Sequence, residues 1–266
     1  MTFDEIAYES RGPVRVIRFN RPEVRNCIGP RTHRELIAAW SDFRDDAAAK
    51  VAIITGTGDK AFCAGGDLKA GEGIMPLDAD EIAAHNRGER PGVLGPSRWT
   101  DIYKPIIAAV NGVAYAGGLE WACFADIRIA EEHASFGVTC RRWNIGLADG
   151  GTQRLPRIVG MGRAMELIIT GRVIDAREAE RIGLVNEVVP AAEVLERGRW
   201  WAARLAAGAP LAVRATKAAV NAQVKRTLIE SFDLATALEL STFQSEDHQE
   251  ALAALRERRP PEFKGR

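Results

Sequence analysis

The residues able to do chemistry gather in two glycine-rich turns and a few side chains near them. Phe62-Cys63-Ala64-Gly65-Gly66-Asp67 and Ala116-Gly117-Gly118-Leu119-Glu120 each come after a short apolar run that reads as a buried strand. Glycine lets a ligand or another backbone approach closely, and a helix start offers unpaired N–H groups. Two such turns side by side could aim two N–H donors at one developing oxyanion. They could equally be tight strand-to-helix turns that pack closely. Glu120 lies between Leu119 and Trp121-Ala122-Cys123-Phe124, which argues for a buried carboxylate over an exposed helix glutamate. A carboxylate in an apolar setting holds its proton to higher pH and can exchange it near neutrality. Asp149, just before Gly150-Gly151, is a normal turn residue as it stands. The Cys140 thiol should be mostly protonated at neutral pH.

Other patterns point elsewhere and fail in context. Gly56-Thr57-Gly58-Asp59-Lys60-Ala61 has the form of a dinucleotide fingerprint, but more glycine follows it where a long helix should begin. His33, His85, His133 and His248 stand among charged residues and read as surface histidines. No G-x-S-x-G, H-E-x-x-H or phosphate-binding loop occurs, and none of the four cysteines forms a C-x-x-C pair. No metal site is expected.

The elements that must position these residues follow from periodicity and turn chemistry. Ile6–Glu9 and Val14–Phe19 flank Arg11-Gly12-Pro13 and predict a hairpin. Leu36, Ile37, Trp40 and Phe43 share one face of a helix over Arg31–Phe43. Val51–Thr55, Ile106–Val110 and Asp126–Ala130 are short strand-like runs. Residues 56–73 read as a functional loop passing into a helix start near Asp67. The broken pattern from Ala70 to Pro96 predicts a mobile lid or a poorly ordered stretch. Repeated strand, glycine turn and helix indicate an α/β fold with buried parallel strands. From Gly160 the chain reads as almost all helical, over 164–169, 176–182, 193–207, 211–223, 227–242 and 246–258. Pro190 and Pro210 fall at helix starts, and a soft boundary lies near residue 200.

Composition bounds the class. The chain has 266 residues, 46% hydrophobic and 27% charged, which suits one sizeable core plus a smaller appended piece. Lys+Arg and Asp+Glu both number 36, so the whole molecule has no net attraction for nucleic acid or an anionic membrane. The cysteine usage suits a reduced compartment, and no signal core or membrane-spanning run appears. A cytoplasmic protein without nucleic-acid or membrane partners is expected.

The motifs also resemble a known family. Ala61-Phe-Cys-Ala64-Gly-Gly-Asp67-Leu-Lys69, Lys104-Pro-Ile-Ile-Ala-Ala-Val-Asn-Gly112, Ala116-Gly-Gly-Leu-Glu120, Gly150-Gly-Thr-Gln-Arg154-Leu-Pro, Thr170-Gly-Arg and Ala179-Glu-Arg-Ile-Gly-Leu-Val-Asn186 occur in the order found in the crotonase (enoyl-CoA hydratase/isomerase) family. The resemblance runs from about Val14 to Lys264. It implies a crotonase-like ββα spiral core with a C-terminal helical subdomain, divided as an acyl-CoA-binding core over 1–200 and a trimerisation subdomain over 201–266. It implies an enoyl-CoA hydratase or isomerase that acts through an oxyanion-stabilised enolate in fatty-acid or related acyl-CoA metabolism. Coenzyme A would be part of the substrate, no separate cofactor would be needed, and the chain would form a homotrimer or hexamer. Apolar faces such as Leu228, Phe232, Leu234, Leu238 and Phe243 fit that interface or an intramolecular core equally well.

By the same resemblance, the peptide N–H groups of Ala64 and Gly117 form the oxyanion hole. Ala64, Gly66, Asp67 and Leu68 hold the adenine side of coenzyme A, and Val24-Arg25-Asn26 lies along its pantetheine arm. Glu120 aligns with the first catalytic glutamate. The second glutamate is absent: Phe136-Gly-Val-Thr is followed by Cys140. Dienoyl-CoA isomerases and some dehalogenases of the family carry an acid near Asp149, which makes Asp149 the expected second acid/base, with a structural loop aspartate as the other reading. A different class stays open beside this one: a coenzyme-A-thioester-binding protein on the same fold, weakly catalytic or inactive.

Overall fold

Val16 and Ile17 adjoin in sequence yet enter different cores. Successive strand residues point to opposite faces of a sheet. Val16, Val51, Ile53, Ile107, Ala109 and Ile129 face one layer, where Val194, Ala202 and Ala206 cover them. Ile17, Phe19, Ala52, Ile54, Ala108 and Val110 face the other, against Leu36, Trp40, Phe43 and Trp121. Strands buried on both faces must be apolar throughout, which is why these segments read as unbroken runs.

The structure, a computed structural model, describes residues 2–70, 91–143, 145–223, 236–238 and 240–266. One sheet has the order β1 (Ile6–Arg11), β2 (Val14–Phe19), β3 (Val51–Gly56), β5 (Ile106–Val110), β7 (Ile127–Glu131) and β10 (Glu187–Val189). The other has the order β4 (Ala61–Cys63), β6 (Val113–Tyr115), β8 (Ser135–Gly137) and β9 (Val173–Asp175). The β1–β2 hairpin and the β8–β9 pair are antiparallel, and the remaining pairs are parallel. The helices are α1 (Pro30–Asp45), α2 (Gly117–Phe124), α3 (Gly151–Val159), α4 (Met161–Thr170), α5 (Ala176–Arg181), α6 (Val194–Ala206), α7 (Pro210–Ala222) and α8 (Glu246–Glu257). Among the described residues no helix is long and apolar enough to cross a membrane.

An aromatic cluster sets the pose of α2. Trp40 of α1 meets Phe43 at 5.7 Å, Trp121 at 5.7 Å and Phe124 at 5.5 Å between ring centroids. Phe19 of β2 meets Trp121 edge-on at 5.7 Å. Such pairs add roughly 0.5–1.5 kcal/mol each beyond area burial. They fix the C-terminal half of the short α2, the helix that begins at Gly117 and carries Glu120.

Several sequence expectations need correction. The segment from Gly160 is not all helical, because β9 and β10 complete the two sheets by pairing with β8 and β7. Pro190 ends β10's connection and precedes α6 by a turn, while Pro210 does open α7. The boundary expected near 200 falls inside α6, which packs on the first sheet as one helix. Residues 68–70 form a turn, so the helix start expected near Asp67 is not found up to Ala70, and 71–90 lie outside the described residues. The far end of the stretch expected to be a lid or poorly ordered is a tight buried turn: Val93, Leu94 and Ser97 are buried. Most of the helix expected over 227–242 also lies outside the described residues, with 236–238 and 240–243 helical.

Candidate functional site

The two glycine turns meet backbone to backbone. Gly65 has φ +99°, and a Cβ there would stand 3.1 Å from the Gly117 nitrogen. A Cβ on Gly118 would overlap the Cys63 carbonyl. Between β6 and α2, Ala116 takes φ +50° and ψ −119°, a conformation that costs an L-residue about 1–3 kcal/mol. That kink turns the chain into α2 within one residue, so Gly117 presents the first N–H of the helix. This N–H has no acceptor among the described residues.

Ala64 does not supply the second donor. Its N–H donates to the Arg25 carbonyl at 3.1 Å. The next residues explain which amide is left. Ile28 N–H donates to Gly65 O at 2.8 Å and Asp67 N–H donates to Ile28 O at 2.9 Å, which makes a single parallel bridge between Ile28 and Gly66. In such a bridge the central N–H points away from the partner strand. Gly66 N–H has no acceptor among the described residues. The open pair is therefore Gly66 and Gly117.

Glu120 is 2% exposed. Its Oε1 accepts N–H bonds from Asp149 and Gly151, both at 2.8 Å. Burial pushes its carboxyl up to about 8, and the neighbouring Asp149 charge pushes the same way, against the two peptide N–H bonds and Arg154. Gly151 leaves room for this carboxylate, since a Cβ there would stand 2.8 Å from the Glu120 Cγ. Cys140 is 8% exposed, and burial followed by the Glu120 charge raises its thiol above the ordinary value. A neutral thiol thus stands near Glu120 where the family pattern has a carboxylate.

Asp149 is fully buried and its Oδ1 is engaged. Oδ1 accepts from Ser97 Oγ at 2.5 Å and from Leu94 N–H at 3.1 Å. The structure brings Asp149 beside Glu120 through its backbone and turns its side chain toward the 91–97 turn.

The residues expected to hold coenzyme A border the first turn. Pro22–Val24 is a single helical turn ended by Arg25 and Asn26, both with positive φ. Asn26 is buried and locks the segment: its Nδ2 donates to Thr57 O at 3.0 Å and Ala61 O at 2.7 Å. Arg25 is exposed beside Ala64, and Leu68 is 58% exposed. The Asp67 carboxylate pairs with Arg21 at 2.9 Å and accepts the Lys69 N–H at 3.2 Å. These contacts shape the loop.

Sequence reading missed Arg21, Leu94, Ser97 and the open amide of Gly66. It also misplaced His33, which is half-buried and accepts the Gly95 N–H at 2.8 Å on Nδ1. Burial lowers its pKa. Arg154 was visible in a motif but carried no assigned role. It donates to Asp149 O at 3.1 Å and lies 5.1 Å from the Phe124 ring centroid. His85 lies outside the described residues. Among the described residues no cluster of three metal-ligating side chains forms.

Two sheets of mainly parallel strands thus carry two neighbouring glycine turns with open amides, and the second of them opens the helix that holds a buried carboxylate. Comparison with known proteins identifies the class. Residues 9–266 match the family described as enoyl-CoA hydratase/isomerase. The chain is 39% identical over 262 residues to carnitinyl-CoA dehydratase of Proteus mirabilis, covering 97% of each chain. It is 37% identical over 266 residues to crotonyl-CoA hydratase of Syntrophomonas wolfei, covering 99% of each. It superposes on the crystal structure of enoyl-CoA hydratase from Mycobacterium tuberculosis with a TM-score of 0.89 and 34% identity, covering 98% of this chain and 99% of that one. The chain belongs to the enoyl-CoA hydratase/isomerase family and is an enzyme of acyl-CoA metabolism.

Proposed function

We propose that this enzyme moves the double bond of an enoyl-CoA thioester, with Glu120 as the one side chain that carries the proton. The observation behind this reading is the raised pKa of Glu120 in a site where the Cys140 thiol stands in place of the family's second carboxylate and Asp149 Oδ1 is bonded to Ser97 and Leu94. Gly66 and Gly117 would donate to the thioester oxygen, which gains charge as the enolate forms. The Glu120 carboxylate would take a proton from C2 of a 3-enoyl thioester, the electron pair would spread to the oxygen and C4, and the same carboxyl would return the proton to C4. Coenzyme A enters as part of the substrate, and proton transfer needs no separate cofactor. Val24, Arg25 and Leu68 border the turn where the coenzyme would lie.

A second reading is hydration, favoured by the names of the relatives, crotonyl-CoA hydratase among them. Glu120 would then take the proton of the attacking water and return it to C2. A panel of 2-enoyl and 3-enoyl thioesters, with the product of each identified, separates the readings. Isomerised product without net water uptake supports the first, and 3-hydroxyacyl product supports the second. Binding without any turnover would overturn both in favour of a thioester-binding protein.

The homotrimer or hexamer is also proposed. Support comes from the exposed apolar side chains Met161, Met165 and Ile169 on one stripe of α4, together with Trp143. Light scattering at micromolar concentration showing a monomer would contradict it. The appended helical piece would start after α6, and the cytoplasm is the proposed location.

A further inference from the structure

The turn at 91–97 is tied down out of proportion to its length. Asp149 Oδ1 takes the Leu94 N–H at 3.1 Å and the Ser97 hydroxyl at 2.5 Å. Trp121 Nε1 donates to the Leu94 carbonyl at 2.9 Å, and the Gly95 N–H donates to His33 Nδ1 at 2.8 Å. Leu94 is therefore pinned at both its N–H and its C=O by buried side chains from α2 and the 147–151 loop. Gly92 allows this, because a Cβ there would overlap the Asp149 carboxylate. Gly95, with φ +87°, lets the chain press against Leu36 and Trp121.

The pinned residue lands on the reacting end of the site. A Cβ on Gly117 would overlap Leu94 Cδ1, and a Cβ on Gly66 would stand 3.4 Å from Leu94 Cδ2. The Leu94 side chain thus lies across both amide-bearing turns. Groups nearest the thioester oxygen must share space with it. A methyl branch on the acyl carbon next to the carbonyl is the smallest group it would reject.

We propose that Leu94 is a specificity-determining residue that excludes acyl chains branched beside the thioester carbonyl, and that Asp149 is the positioning residue that holds it there. The inference rests on the reading that Gly66 and Gly117 bind the thioester oxygen. It gives Asp149 a task that needs an acceptor oxygen and no proton transfer. Asn keeps an acceptor oxygen, so the two roles are separable. A buried peptide N–H that loses its acceptor is strongly disfavoured, which loosens the turn.

Two measurements test this. The first is the affinity of the whole protein for butyryl-CoA and isobutyryl-CoA, saturated thioesters that the enzyme cannot turn over. The wild type should favour the straight chain by roughly tenfold or more, as expected for one misfit methyl group. Leu94→Ala should reduce that ratio to about threefold or less while binding butyryl-CoA. Equal binding by the wild type, or an unchanged ratio in Leu94→Ala, overturns the specificity role. The second is turnover of a straight-chain enoyl thioester by Asp149→Asn and Asp149→Ala. The proposal expects Asn to keep most of kcat and Ala to lose it and to bind isobutyryl-CoA more nearly as well as butyryl-CoA. Loss of kcat in Asn with wild-type discrimination overturns the positioning role in favour of proton transfer. The affinity ratio does not depend on Glu120 chemistry, so failure of the proposed reaction would show separately, in a wild type that binds both thioesters and converts no enoyl substrate.

Discussion

The first turn of α2 and the loop over 147–151 each bring one buried carboxylate to the same place, and they use them in opposite ways. Glu120 is held by two backbone N–H groups, which fix its head without giving it a counter-charge to match burial. Its proton stays on to about pH 8. Asp149 instead accepts from Leu94 and Ser97 and spends its oxygen on tying down a turn. The two are joined, since the Asp149 N–H is one of the donors to Glu120. Residue type and proximity do not assign a role to a carboxylate. Its hydrogen-bond partners do.

The comparison is broken most severely at Glu120. Glu120→Gln keeps an acceptor for both N–H groups but cannot carry a proton, so turnover should fall by about 10²- to 10⁴-fold with acyl-CoA binding retained. Steady-state kinetics beside calorimetric binding checks this. Gly117→Pro removes one of the two open amides at a position where a helix tolerates proline. It also adds a Cβ against Leu94. Turnover should fall by roughly 10²- to 10³-fold, the range for losing one oxyanion donor. Full turnover in a folded Gly117→Pro protein would rule out the donor role.

A smaller effect sharpens the electrostatic side. Glu120 binds its proton more tightly in the folded state than in the unfolded chain. Between the ordinary value of 4.5 and about 8 the folded state therefore holds more protons, and stability falls as pH rises through that window. Glu120→Gln removes this dependence. Its melting temperature relative to wild type should climb from pH 5 to pH 8 and then level off. A constant difference across that range would show that Glu120 is not buried as described. Smallest of all, Cys140→Ala should change turnover by less than about threefold, since a protonated thiol does no acid/base work.

Much of this arrangement is legible in the sequence. The runs at Val14–Phe19, Val51–Thr55 and Ile106–Val110 read as buried strands because both of their faces are covered. Leu119 and Trp121–Phe124 announce the buried setting of Glu120. The strands β4, β6, β8, β9 and β10 are three residues each and exist through their pairing partners, so no local pattern marks them. The α3 helix starts at a glycine and contains Pro156, which masks its period. Ala64 could not be separated from Gly66 by spacing. Which amide is used up depends on where Arg25 and Ile28 lie, and that is a long-range fact. Asp149 and Leu94 are 55 residues apart, and their bond leaves no trace in either neighbourhood.

The most direct test is the pH dependence of kcat/KM for conversion of a 3-enoyl thioester, the direction that begins with a Glu120 carboxylate. The free enzyme's catalytic base sets this profile. The rate should rise from pH 6, bend near pH 8 and stay level above it, and the residual rate of Glu120→Gln should lack the bend. A wild-type profile flat across that range, or the same bend in Glu120→Gln, would contradict Glu120 as the proton carrier.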